Sequence, residues 1–173
     1  MPRVLMAVVI LGWLLAGPAS AAYVFYYEVV GEWTIVCWRD QFSDQRLCHL
    51  TAPRDTLSYE FPPNVIMVEE YAPDAFQVAV RIRHDHVPGI PVSLKVDGNR
   101  THETAVDGEF GRWTGDDARA ILSEMQKGDQ VIYRVQTPPD GLPIDTRVGL
   151  LGFRQALATY RGLVRVHGLI PDG

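Results

Sequence analysis

Gly31-Glu32-Trp33-Thr34-Ile35-Val36-Cys37-Trp38-Arg39-Asp40, then Gln41-Phe42-Ser43-Asp44-Gln45, then Arg46-Leu47-Cys48-His49-Leu50-Thr51-Ala52, is the stretch whose reading decides the fold. Both cysteines of the chain lie in it. Trp33, Ile35 and Cys37 alternate with Thr34, Val36 and Trp38, while Leu47 and His49 alternate with Cys48 and Leu50; a period of two marks a strand on each arm. The polar run from Gln41 to Gln45 tolerates a turn, so the chain is expected to fold back there and set the two sulfurs opposite each other. The expected Cys37–Cys48 disulfide closes a short loop and stabilises by roughly 2–4 kcal/mol, mainly by restricting the unfolded ensemble. Two buried free thiols are the alternative in a reducing compartment. The spacing is not that of a Cys-x-x-Cys redox motif, and two thiols without a second ligand pair do not make a zinc site.

Outward toward the N-terminus, Met1-Pro2-Arg3 is a short positive start, Val4 to Ala16 is almost wholly apolar, and Gly17-Pro18-Ala19-Ser20-Ala21 ends in a small-residue cleavage pattern. This is the form of a secretory signal peptide cut after Ala21, which would place the thiols in an oxidising compartment. The alternative is an uncleaved signal anchor. No charge appears between Arg3 and Glu28, and a spanning helix needs only about 20 such residues, so membrane contact through residues 1–27 is expected if the leader stays. The aromatic cluster Tyr23, Phe25, Tyr26 and Tyr27 would then lie at the outer interface.

The 173 residues suffice for one domain with a real core, and 47% apolar content excludes disorder. The net charge of −5 grows by one if Arg3 leaves with the leader. No basic stripe runs along the sequence, which argues against nucleic acid and anionic headgroups as partners.

Beyond the hairpin, Phe76, Val78, Val80 and Ile82 alternate with Gln77, Ala79, Arg81 and Arg83, predicting a strand over 75–83 with one buried face and one bearing two arginines. Tyr23 to Val30 reads as an edge or first strand, and Thr56 to Phe61 as another. Val65 to Val68 is apolar without a fixed register. Val92 to Val96, the Asp97-Gly98-Asn99 turn and a returning arm over Thr101 to Val106 form a second expected hairpin. Ala118, Ile121, Leu122 and Met125 keep helical spacing after a Thr114 cap with Asp116 and Asp117 in the first turn, and Lys127-Gly128 closes that helix. Gln130 to Gln136 is a further strand, Leu142 to Leu151 an extended arm, and Phe153, Ala156, Leu157 and Tyr160 a second helix with Gly162 as its end or its weak point. The expected fold is mostly β (α+β): an antiparallel β sandwich or partly open barrel with about two helices, near 115–127 and 152–162, after an N-terminal leader helix. Residues 1–21 are the signal peptide or anchor, and 22–173 a single domain.

Gly31-Glu32-Trp33 through Cys37, the second cysteine at Cys48, Val92 to Asp97-Gly98, Lys127-Gly128-Asp129-Gln130-Val131, and Leu150-Leu151-Gly152-Phe153-Arg154-Gln155-Ala156-Leu157 occur in an order that resembles the invasion-associated locus B family. That resemblance implies a single, mostly β, secreted domain in the periplasm or at the outer membrane of a Gram-negative bacterium, with invasion of host cells as the role of some members. It carries no catalytic residues to this chain. Members often have a further cysteine pair after the Asp-Gly turn, where this chain has Thr101-His102-Glu103-Thr104-Ala105-Val106.

Several residues invite a sharper function. His84-Asp85-His86 could place two imidazoles on one face of a strand, with His102 or Glu103 as a third metal ligand; the plainer reading is a polar strand end before Pro88. Ser43, Ser58, Ser93 and Ser123 lack a Gly-x-Ser-x-Gly setting, and His49 would point away from Cys48 on a strand. Asp116-Asp117 suits a helix start and Glu69-Glu70 a solvated loop. Asn99-Arg100-Thr101 matches a glycosylation acceptor but is more simply a turn. Trp33, Trp38, Trp113 and the tyrosines near the start are expected in the core, with an interface as the alternative. Trp38 and Phe42, if exposed, make the hairpin tip the leading contact surface. The function expected is that of a non-enzymatic envelope interaction protein, with no catalytic residue, cofactor or metal and with a protein partner. The alternative is an anchored accessory subunit of an inner-membrane complex, its domain facing the periplasm.

Overall fold

In the computed structural model, residues 22–53, 65–82, 86–138 and 141–169 are described. The leader, the strand expected at Thr56 to Phe61, and His84 and Asp85 of the candidate metal motif lie outside them. In chain order the elements are β1 (Ala22–Val30), β2 (Trp33–Asp40), β3 (Arg46–Ala52), β4 (Val65–Ala72), β5 (Ala75–Arg81), β6 (Val92–Val96), β7 (His102–Thr104), β8 (Val106–Asp107), β9 (Phe110–Trp113), α1 (Gly115–Met125), β10 (Gln130–Thr137), β11 (Leu142–Gly149) and α2 (Phe153–Val166).

Every strand pair is antiparallel, and the strands form a seven-stranded sheet, β1-β2-β3-β4-β5-β9-β8, and a four-stranded one, β11-β10-β6-β7. Among the described residues the architecture is a sandwich with two helices, not a closed barrel. Period-two alternation sends Trp33, Ile35, Cys37, Cys48, Leu50, Val78, Val80 and Trp113 from the larger sheet, and Leu94, Val131, Tyr133 and Val148 from the smaller, into one buried cluster. Ala118, Ile121, Leu122 and Met125 of α1 and Phe153, Ala156, Leu157, Tyr160 and Val164 of α2 join it, each set a stripe at helical spacing.

The motifs that carried the family resemblance meet pairwise as clasps. Gly31 sits at φ +64°, where a Cβ would come within 2.3 Å of the Leu151 carbonyl oxygen, so only glycine fits. Beside it the Glu32 carboxylate accepts the Gly149 N–H at 2.9 Å, the Trp33 indole N–H donates to the Gly149 carbonyl at 3.0 Å, and the Trp33 and Phe153 rings lie 4.6 Å apart. Gly31-Glu32-Trp33 is thereby locked to Gly149 through Phe153, more than a hundred residues on. The second clasp joins the Asp97 turn to the start of β10: the Asp97 carboxylate accepts the N–H groups of Asp129 and Gln130, each at 3.0 Å.

Several expectations are corrected. Gly128 does not close α1 in the left-handed region; it is glycine because a Cβ would lie 2.5 Å from the Asp97 carboxylate and 2.6 Å from Val96. Thr114 occupies the N-cap, but its hydroxyl makes no capping bond. α2 runs through Gly162, whose Cα faces open space and whose cost of about 1 kcal/mol is outweighed by burial of Val164 in the next turn. It ends at Gly168 (φ +59°), with Leu169 N–H on the Val164 carbonyl and Gly168 N–H on that of Arg165, a Schellman closure. The arm expected over Thr101 to Val106 is split. β7 stays with β6, and the chain then crosses at Ala105 so that β8 pairs with β9 in the other sheet.

The face of β5 opposite the main core is not simply arginine-bearing. Ala79 is buried there with Val65 and Met67 of β4 in a second small cluster that packs on Phe110, and the Arg112 guanidinium lies 4.2 Å from the Phe110 ring centroid. Val65 to Val68 acquires its register from both neighbours, Leu50 opposite Val68 and Ile66 opposite Val80.

Candidate interaction site

Cys37 and Cys48 stand directly opposite each other on β2 and β3, their Cα atoms 4.0 Å apart, and are joined by a disulfide. The turn beyond them is closed by its own side chains. The Asp40 carboxylate accepts the N–H groups of Phe42 (2.9 Å) and Ser43 (2.7 Å) and the Ser43 hydroxyl (3.1 Å), while Asp40 N–H donates to the Gln45 carbonyl at 2.8 Å. Arg39 Nε donates to Asp44 at 2.6 Å, with Asp44 at φ +63°. The bonds from the Ser43 backbone, the Ser43 hydroxyl and the Phe42 backbone hold the Asp40 carboxyl below its usual range. The loop is thus fixed while its central side chain is left out: Phe42 is 99% exposed.

Trp38 does not share that exposure. It is half-buried on the outer face of the sheet, its ring stacked 4.5 Å from that of His49 at an interplanar angle of 3°. Alternation turns His49 away from the disulfide, as the sequence indicated, and its Nδ1 lies 2.6 Å from Glu69 on β4. Gln77 Nε2 on β5 donates to the same carboxylate at 2.9 Å. Burial pushes the Glu69 carboxyl up, but the hydrogen bond and charge of His49, with smaller help from Arg112 and Gln77, bring it below its usual value. Trp38, His49, Glu69 and Gln77 therefore make a braced row across four strands. Leu47, opposite Trp38 and partly exposed, completes the apolar edge of the tip.

Glu69 and Glu70 are not a solvated loop; both lie in β4 and face opposite ways. Glu70 is buried, accepts Asp74 N–H at 3.0 Å, and lies 3.5 Å from Arg161 Nε, while its own backbone N–H donates to the Tyr160 hydroxyl at 2.9 Å. Burial raises the Tyr160 hydroxyl's pKa and keeps it neutral. The sequence pattern missed this tie between β4 and α2, because Glu-Glu carries no sign that one of the two will find a tyrosine and an arginine ninety residues away. Asp116 and Asp117 are exposed in the first turn of α1, where Arg119 and Arg100 pair with them.

The candidate metal ligands that are described, His86, His102 and Glu103, each sit with other partners. His86 lines a cleft of about 570 Å³ with Ile82, Pro88, Ile90 and Val106, its Nε2 2.5 Å from the Ile90 carbonyl oxygen. His102 is buried and lies 3.3 Å from Glu124 on α1, whereas Glu103 on the opposite face of β7 accepts from Ser93. Among the described residues no three His, Cys, Asp or Glu side chains converge as a metal site. Trp33 and Trp113 are core residues.

No protein-family model matches the chain, and no curated protein does. Among solved structures, the crystal structure of invasion associated protein B from Bartonella henselae is similar, with a TM-score of 0.61 and 19% identity over 81% of this chain and 99% of that one. The likeness is one of fold. It covers nearly the whole of the Bartonella chain.

Proposed function

We propose that this chain is a non-enzymatic interaction protein of the bacterial cell envelope, held to a protein partner through the tip of its stapled hairpin. The observation that carries the reading is Phe42: a large apolar side chain almost wholly in water, at the end of a turn that its own hydrogen bonds and a nearby disulfide keep in shape. Such an anchor loses little conformational freedom on binding, because its backbone is already ordered. Oxidised cysteines and the leader support a periplasmic or outer-envelope location after cleavage. Contact with a host cell is the finer reading, and it draws support from a fold neighbour named for invasion.

A mild-detergent pull-down from the native host tests this. A defined partner recovered with the natural chain and lost with Phe42→Ser is the expected outcome; undiminished recovery with Phe42→Ser sinks the tip as the contact. A second reading, an anchored accessory subunit, is favoured by the uncharged run from residue 4 to 27. The intact mass of the protein from its host separates the two, since loss of the first 21 residues removes the anchor.

A further inference from the structure

β11 is one edge of the smaller sheet, and three hydrogen bonds fix which of its backbone groups face outward. Leu150 N–H donates to the Asp129 carbonyl at 2.8 Å, so position 150 points at the neighbouring chain segment. Gly149, one residue back, points the other way: its N–H goes to Glu32 and its carbonyl to Trp33. Antiparallel ladders alternate residue by residue, so Val148, Thr146 and Ile144 face β10 and Arg147, Asp145 and Pro143 face away from it. Proline brings no N–H, and the groups of Gly149 are taken. Among the described residues, the open edge is therefore the N–H and C=O of Asp145 and Arg147.

We infer that this edge pairs with the same edge of a second copy of the chain, antiparallel about a two-fold axis through Thr146, joining two four-stranded sheets into one of eight. Charge selects the register. With Asp145 opposite Arg147 of the second copy, and the reverse, four N–H···O bonds form between outward-facing residues, and opposite charges face each other twice. A slip one way sets Asp145 against Asp145 and offers Pro143, which has no N–H, to Arg147. A slip the other way sets Arg147 against Arg147 and offers Gly149, already bonded, to Asp145. Asp145 is held bidentately by Arg134 at 2.6 and 2.8 Å, whereas Arg147 makes no ion pair with a described residue, and pairing would set a carboxylate opposite it. On the other face of β11, Leu142 is 63% and Ile144 41% exposed although both lie on the core-facing side of the pleat. The proposed register puts Ile144 beside Val148 of the second copy and covers it.

Sedimentation of the protein purified from its native host should show a concentration-dependent dimer. Arg147→Asp should weaken it roughly tenfold or more, and Asp145→Arg combined with Arg147→Asp, which restores opposite charges, should recover it. Thr146 lies opposite itself in a pair not bonded through the backbone, the same kind of pair that holds Cys37 and Cys48. Thr146→Cys should therefore give a disulfide-linked dimer, and Ile144→Cys should not. Intact Cys37–Cys48 pairing in each variant reports that it has folded. A monomer at every concentration, a dimer indifferent to Arg147→Asp, or Thr146→Cys trapped on a different protein instead of on itself would each overturn the self-pairing.

Discussion

Trp38 and Phe42 are four residues apart on one hairpin and have opposite fates. Trp38 is taken up by His49 and, through it, by Glu69 on the next strand, so its ring braces the sheet. Phe42 touches little, and Phe42→Ser should leave the thermal midpoint almost unchanged, a difference within about 0.5 kcal/mol, while abolishing partner recovery. Trp38→Ala should lower stability by about 1–2 kcal/mol, as expected for removing a half-buried aromatic that makes a stacked pair; an unchanged denaturation midpoint would disprove the bracing role. The sequence singled out both aromatics but could not separate them, because alternation fixes which face a side chain takes and not whether a neighbouring strand brings a histidine beneath it.

At the scale of elements, the motifs legible in the sequence are the joints between distant segments. Gly31→Ala would drive a Cβ into the Leu151 carbonyl and should cost about 3 kcal/mol. Asp97→Ala would strip two backbone N–H groups at the start of β10 of their acceptor, costing about 1–3 kcal/mol. Denaturant unfolding measures both, and a change under 0.5 kcal/mol in either would show that the clasp is dispensable. Replacing Cys37 and Cys48 by alanine should cost about 2–4 kcal/mol, read in the same way. Helix α1 and strands β5, β6 and β10 were plain from periodicity. The split of β7 and β8 was not, since nothing in Thr101 to Val106 marks a break in the arm, and the crossing at Ala105 is set by which strand lies alongside, β6 for β7 and β9 for β8.

For the whole molecule, acid is the informative variable. Asp40, Glu69 and Asp145 are held below their ordinary values of 3.8, 4.5 and 3.8, so the folded state binds their protons less readily than the unfolded chain. Their contribution is present above those values and is lost as pH falls through the lower folded ones. Stability should decline as pH falls below about 4.5; a melting temperature constant from pH 5 to 2 would contradict this. Charge also shows what folding adds: no basic run exists along the sequence, yet Arg119 of α1, Lys127 just beyond its end, and Arg154 and Arg161 of α2 line one cleft. The sequence by itself determined the stapled hairpin, strands β5, β6 and β10, the two helices and the pairing of its cysteines, because side-chain period and turn chemistry are local, while β9 and the second half of β4 escaped it. Only the tertiary structure decided that Phe42 stands free while Trp38 does not, that Glu70 is buried, and that β11 is an edge strand among the described residues. Those outcomes depend on which distant segment arrives alongside, and contacts between segments a hundred residues apart leave no local period to read.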